Sequence, residues 1–128
     1  MTPAQIGYAE AADFLARYAA ALTTFDGDDW VALFSEDAEY HADPFSAPVV
    51  GHNGLRALLL ERAAREAQSE FEIQRHWVSG ATILSAWHAS AVDRGSRQRV
   101  RSAGFSTFEM QDGRCARYRQ WWHRRGEG

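Results

Sequence analysis

His41-Ala42-Asp43 sets an imidazole and a carboxylate two residues apart, and on a strand that spacing turns both side chains to one side. Together they can work as an acid–base pair of the kind a dehydratase needs, because histidine titrates near neutrality and serves in either role. Asp43 ends a short strand pattern and precedes Pro44. A carboxylate there, turned to an apolar cavity, loses solvation, rises in pKa and becomes a better base near neutral pH. The same residue has a structural use, since aspartate commonly bonds local backbone in a turn. His41 has one too, as an exposed histidine near a strand end. His-x-Asp also offers two metal ligands, but no third of suitable spacing accompanies them, so no metal is expected.

Tyr18 falls on a helix stripe, where it fits a core tyrosine. Cys115 lies beside the Gly113 turn with Arg114 and Arg117 nearby, but no histidine base accompanies it, so it reads as structural. His76 shares strand parity with Glu72 and Gln74, which points it to solvent, and His88 reads as outward.

The elements that must position these residues follow from periodicity. Ala4 to Leu22 reads as a helix, with Tyr8, Ala11, Leu15, Tyr18 and Leu22 on one stripe and Thr2-Pro3-Ala4-Gln5 as a capping box. Asp28 caps a short helix, Asp29 to Phe34. Glu39 to Asp43 is a short strand, residues 44–51 a loop, and His52 to Ala67 a third helix with Leu55, Leu58, Leu59 and Ala63 on one side. Phe71–Val78, Ala81–Val92, Arg97–Met110 and Arg114–Arg124 read as four strands joined by Gly-containing turns, which makes an antiparallel meander.

Alternation assigns the faces. Arg97, Arg99 and Arg101 share one side of their strand, and Val100, Ser102, Gly104, Ser106 and Phe108 the other. In the last strand Tyr118, Gln120 and Trp122 lie opposite Arg117 and Arg119. The inner face therefore carries Trp87, Phe108, Tyr118 and Trp122, which either form plain core or stack on a flat ligand, with Gln120 among them and Gly104, whose missing side chain either serves packing or leaves room for a ligand. The strand 81–92 is apolar on both faces, which suggests a homodimer through the outer face of the sheet.

Composition bounds the rest. The chain has 128 residues with 45% apolar and 24% charged, as a single globular domain over 1–128 should. A net charge of −3 argues against nucleic-acid partners. No apolar run approaches a membrane span, and no basic-then-apolar start suggests secretion, so cytoplasm is the expected location. One cysteine excludes an internal disulfide. All fourteen basic residues are arginine, so Schiff-base and general-base lysine chemistry is excluded.

Helices first and strands later is an α+β pattern. In this order, Phe14-Leu15-Ala16-Arg17-Tyr18, Ala32-Leu33-Phe34-Ser35-Glu36-Asp37-Ala38, Asp43-Pro44-Phe45 with Gly51, Asp112-Gly113-Arg114 and Gln120-Trp121-Trp122 resemble the nuclear transport factor 2-like superfamily, in its SnoaL-like and ketosteroid-isomerase-like branch. The resemblance implies a cystatin-like cone, a curved antiparallel sheet packed against three N-terminal helices around a pocket for a small hydrophobic ligand. It implies Asp43 as general base and Tyr18 as oxyanion donor, with no cofactor. The family's oxyanion aspartate falls near Gly104, where no side chain can donate, so authentic ketosteroid isomerisation is not expected. The aspartate–histidine dyad of the dehydratase branch and the Asp-Arg-Asp set of the epoxide-hydrolase branch find no full match. Two functions follow: a cofactor-free isomerase, dehydratase or cyclase acting on a steroid- or polyketide-like substrate, or a non-catalytic small-molecule-binding or accessory dimeric module.

Overall fold

The computed structural model describes residues 5–126 as one curved sheet covered on its concave side by helices. Helix α1 (Tyr8–Thr24) buries Ala11, Phe14, Leu15, Tyr18, Ala21 and Leu22, a three- and four-residue stripe. It starts after Gly7, so Gln5 precedes the helix; Thr2 and Pro3 of the expected capping box lie outside the described residues. Phe25 closes it in the left-handed conformation, returning its N–H to the Ala21 carbonyl.

Helix α2 (Gly27–Val31) is capped by Asp26, whose carboxylate accepts from Asp29 N at 3.0 Å, and not by Asp28 as the sequence suggested. The helix is also shorter than expected. Strand β1 (Phe34–His41) begins where the helix was expected to end, because Phe34, Ala38 and Tyr40 are drawn into the core. A two-residue strand, β2 (Val49–Val50), pairs with β1, and α3 (Gly51–Arg65) follows.

Four long strands complete the sheet: β3 (Glu66–Ser79), β4 (Thr82–Asp93), β5 (Arg99–Gln111) and β6 (Arg114–Gly126). The order is β2-β1-β6-β5-β4-β3. The meander is antiparallel as expected, but β1 runs parallel to β6, with Tyr40 beside Tyr118, so the six-stranded sheet is mixed. The α+β cone architecture itself is the one expected. Bulges at Ala67/Glu70, Ile73/Arg75 and Glu109/Met110 help bend it. The Ile73/Arg75 bulge also resets parity along β3. His76 therefore pairs with Ser85 on the inner side and stacks on Tyr8 at 4.0 Å, and does not share a solvent face with Glu72.

The core lies between α1, α2, α3 and the concave face. Tyr18 sits at its centre, edge-on to Phe71 and Phe108 and stacked on Tyr118, which in turn stacks on Tyr40 at 4.5 Å. No helix among the described residues is long and apolar enough to cross a membrane.

Candidate functional site

A cavity of about 240 Å³ opens between the concave sheet and helices α1 and α3. Its inner end is aromatic and its mouth is charged. Tyr18 reaches it from α1, Tyr40 from β1, Tyr118 from β6 and Trp87 from β4. Leu22 and Leu58 supply apolar wall. From α3 and the start of β3 come Arg62 and Glu66, joined by an Nε···Oε2 contact of 2.9 Å, and Arg65, Asp93 and Arg124 stand around the opening.

The phenols are strongly buried. Desolvation, then the neighbouring Tyr118 and Tyr40, hold Tyr18 well above the ordinary tyrosine range. Burial does the same to Tyr118 and raises Tyr40. All three therefore remain O–H donors at any physiological pH. Burial disfavours the Arg62 charge, but the Glu66 carboxylate outweighs it and keeps the guanidinium charged.

A directed hydrogen-bond chain fixes the sheet side of the cavity. Trp87 Nε1 donates to Ser106 Oγ at 2.7 Å, and Ser106 meets the Tyr118 hydroxyl at 2.8 Å. Tyr118 donates to Gln120 Oε1 at 2.7 Å, and Gln120 Nε2 donates to the Ala42 carbonyl at 2.9 Å. Trp122 Nε1 reaches the same carbonyl at 3.0 Å. With Trp87 and Tyr118 both donating, the Ser106 hydroxyl must donate to Tyr118, so every proton in the chain is assigned.

Of the residues singled out from the sequence, Tyr18, Trp87, Tyr118, Gln120 and Trp122 line the cavity. Phe108 lies behind them, packed between Phe14 and Tyr18. Gly104 opens no space. The Trp87 ring covers it, so the room its missing side chain leaves is already filled.

Asp43 and His41 are not brought together. Both Asp43 oxygens are held by its own loop: Oδ1 accepts from Phe45 N at 2.8 Å and Ser46 N at 2.9 Å, and Oδ2 from Ser46 Oγ at 2.6 Å. The Ser46 hydroxyl and these backbone amides lower the Asp43 pKa, the opposite of the rise expected for a desolvated base. His41 points to the convex side, where its Nε2 lies 3.2 Å from Glu39 Oε1. The His41 and Arg117 contacts together lower the Glu39 pKa. Burial raises the Cys115 thiol far above its usual value, which suits a structural residue. No cluster of three potential metal ligands occurs among the described residues.

Tyr40, Arg62 and Glu66 are cavity residues that the sequence did not single out, as are Arg65, Asp93 and Arg124 at the opening. A signal for two of them existed. Arg62 falls four residues after Leu58 and seven after Leu55, on the apolar stripe of α3, and Glu66 falls one further turn on. A charged pair continuing an apolar stripe marks a charge brought inward.

The buried phenols make a measurable prediction. Each folded-state pKa is raised, so above the ordinary tyrosine range the unfolded chain binds fewer protons than the folded one. Stability is then complete below a pH of about 10 and falls above it, by up to ~1.4 kcal/mol per pH unit for each phenol. Unfolding by denaturant at rising alkaline pH should show this loss, and Tyr18→Phe should make it shallower. A midpoint flat to pH ~11 would contradict the raised values.

A family model described as the SnoaL-like domain matches residues 15–118. No curated protein matches in sequence. Among solved structures, an LEH-like epoxide hydrolase of M. tuberculosis is 25% identical, with 90% of this chain and 84% of that one covered and a TM-score of 0.76. A protein of Novosphingobium aromaticivorans covers 96% of each chain at 21% identity with a TM-score of 0.83. SalBIII, an epoxide hydrolase/cyclase-like enzyme of pyran ring formation in salinomycin, covers 90% of this chain and 92% of that one at 18% identity with a TM-score of 0.80. The last two speak for the fold alone.

Proposed function

Because the chain belongs to the SnoaL-like domain family, we propose that it binds a small, largely apolar molecule between sheet and helices and acts on it as a cofactor-independent acid–base enzyme of the isomerase, lyase or cyclase kind. One observation carries this reading: phenols that stay protonated meet a carboxylate held by an arginine at the same cavity. A phenol aimed at a ligand oxygen stabilises charge that develops there, and removing one such donor typically costs ~10²–10³ in rate. Tyr18 is assigned that role.

Two carboxylates compete for the proton. Asp43 has the position that resembles the family base, and Glu66 has the cavity. The local bonds that occupy Asp43 favour Glu66, which lines the cavity and keeps one oxygen beside Arg62. The epoxide hydrolase activity of the 25%-identical M. tuberculosis protein supports placing epoxides beside enones and polyketide-like ketones in a substrate panel. The panel is read by turnover and thermal shift together, since a true ligand raises stability by mass action. Compounds that shift melting without being converted would favour the non-catalytic binder, the reading that the occupied Asp43 also supports. Neither conversion nor a shift from any compound would sink the proposal.

The convex face supports a second part of the reading, a homodimer. Trp77 and Trp121 are exposed there, 38% and 43% respectively, with Phe105 beside Trp77 at 6.0 Å and Arg75 over the Trp77 ring. Apolar area of this kind, rimmed by charge, is what a partner surface needs. Trp121→Glu should convert the dimer to a monomer in sedimentation at micromolar concentration without unfolding it. A wild-type chain that sediments as a monomer would refute the assignment.

A further inference from the structure

We propose that the ligand is a small monoanion, a one-ring-sized carboxylic or enolic acid whose charged oxygen is taken by Arg62. This rests on the cavity reading above and narrows it to a ligand class.

Size comes first. A cavity of about 240 Å³ lies below the ~300–1,000 Å³ typical of sites for drug-sized ligands. A ring with a short polar substituent fits inside; a four-ring skeleton must project through the mouth.

Charge comes second. The cavity is lined by the arginines Arg62, Arg65 and Arg124 and by the carboxylates of Glu66 and Asp93, which leaves one unit of positive charge. Asp93 is partly spent, because its Oδ1 accepts from Ser96 N at 2.8 Å. Arg65 leans towards Glu61, 3.9 Å away on the outside of α3. Arg62 is half-buried, and its ion pair with Glu66 uses Nε, the guanidinium atom nearest the backbone. The terminal amines are the part of the group free to take a second anion, and no further ion pair involves them among the described residues. The position is also central: Arg62 is close enough to Tyr18, Tyr40 and Tyr118 to act on each electrostatically.

The two features combine. A monoanion gains a charge-assisted bond from Arg62 and a phenolic donor, Tyr18 or Tyr40, from the aromatic end, while its apolar ring meets Trp87 and Leu58. A dianion would bring its second charge against Glu66. A neutral isostere keeps the ring contacts and loses the charged one.

Matched pairs test this on the full chain by calorimetry and thermal shift: benzoate with benzamide, and cyclohexanecarboxylate with its carboxamide. Cyclohexanone serves as a neutral control for the cavity itself. The acids should bind about tenfold or more tighter than their amides, the difference expected for one hydrogen bond to a charged group. Arg62→Gln should bring each pair to near equality while cyclohexanone binding persists. Should that variant fail to fold, Arg62→Lys in its place should keep a reduced acid preference, and Arg56→Gln, on the same helix but paired with Asp28 outside the cavity, should leave it unchanged. Cyclohexanone and amides binding as well as acids would overturn this inference and leave the cavity reading standing. No binding by any of the five compounds would overturn both.

Discussion

Gly104→Ala should lower the stability of the fold by about 3 kcal/mol, the upper range for forcing extra carbon into a packed interior. The reason is cross-strand register. Trp87, Gly104 and Trp122 stand side by side on β4, β5 and β6. A Cβ at 104 would lie 2.5 Å from Trp87 Cζ2, 2.7 Å from the Trp121 carbonyl and 2.9 Å from Trp122 Cβ. The indole cannot simply swing aside, because its Nε1 is tied to Ser106. The carbonyl is backbone and cannot move without its strand. Denaturant unfolding with an unchanged slope would measure the loss. In a double-mutant cycle, Trp87→Phe should recover part of it and not all, since only one of the close contacts belongs to the indole ring. A Gly104→Ala variant within ~0.5 kcal/mol of wild type would show that the tryptophans do not hold this arrangement.

The second large effect concerns chemistry. Glu66→Gln should reduce turnover of any substrate the wild type converts by ~10²–10⁴, the usual contribution of a positioned acid–base group. The amide keeps the size of the side chain and an oxygen for Arg62, so folding should survive. Asp43→Asn should stay within a few-fold of wild type, because an asparagine oxygen can still accept from Phe45 N and Ser46 N and hold the loop. The opposite pair of results would return the base to Asp43 and require its loop to open in the complex. Binding constants measured beside the rates separate lost chemistry from lost affinity.

Much of the architecture was legible in the chain because each signal was local. Alternation along β4, β5 and β6 put Trp87, Phe108 and Tyr118 on the concave face, and all three are buried there. The glycine-bearing turns set the meander in order. What periodicity could not supply was long-range pairing. The parallel contact of β1 with β6 joins residues 78 apart, Glu39 and Arg117, and no local pattern encodes it. The start of β1 was hidden because Trp30, Val31, Leu33 and Phe34 read as one continuous helical stripe. A bulge likewise leaves no mark in composition, which is why His76 was assigned to the wrong face.

The site was legible only in its aromatic part. Small residues facing large ones suggested a cavity at Gly104, but which neighbour fills such a gap depends on register. Asp43 looked like a base because its position was visible and its partners were not: Ser46 three residues on supplies the hydroxyl that occupies it. Arg62 and Glu66 were passed over because charged residues on a helix usually face water. Their inward turn follows from α3 packing over a cone whose mouth lies at the helix C-terminus, where the Arg94 guanidinium fastens the β4–β5 turn to the Ala63 and Glu66 carbonyls.

A crystal structure with the tightest binder of the acid, amide and ketone series would show where the ligand sits. The ligand is expected inside the cavity, its ring against Trp87 and its oxygen within hydrogen-bond reach of Arg62 or Tyr18. A ligand seated on the Asp43 loop or on the convex tryptophans, with the cavity left empty, would contradict the cavity reading.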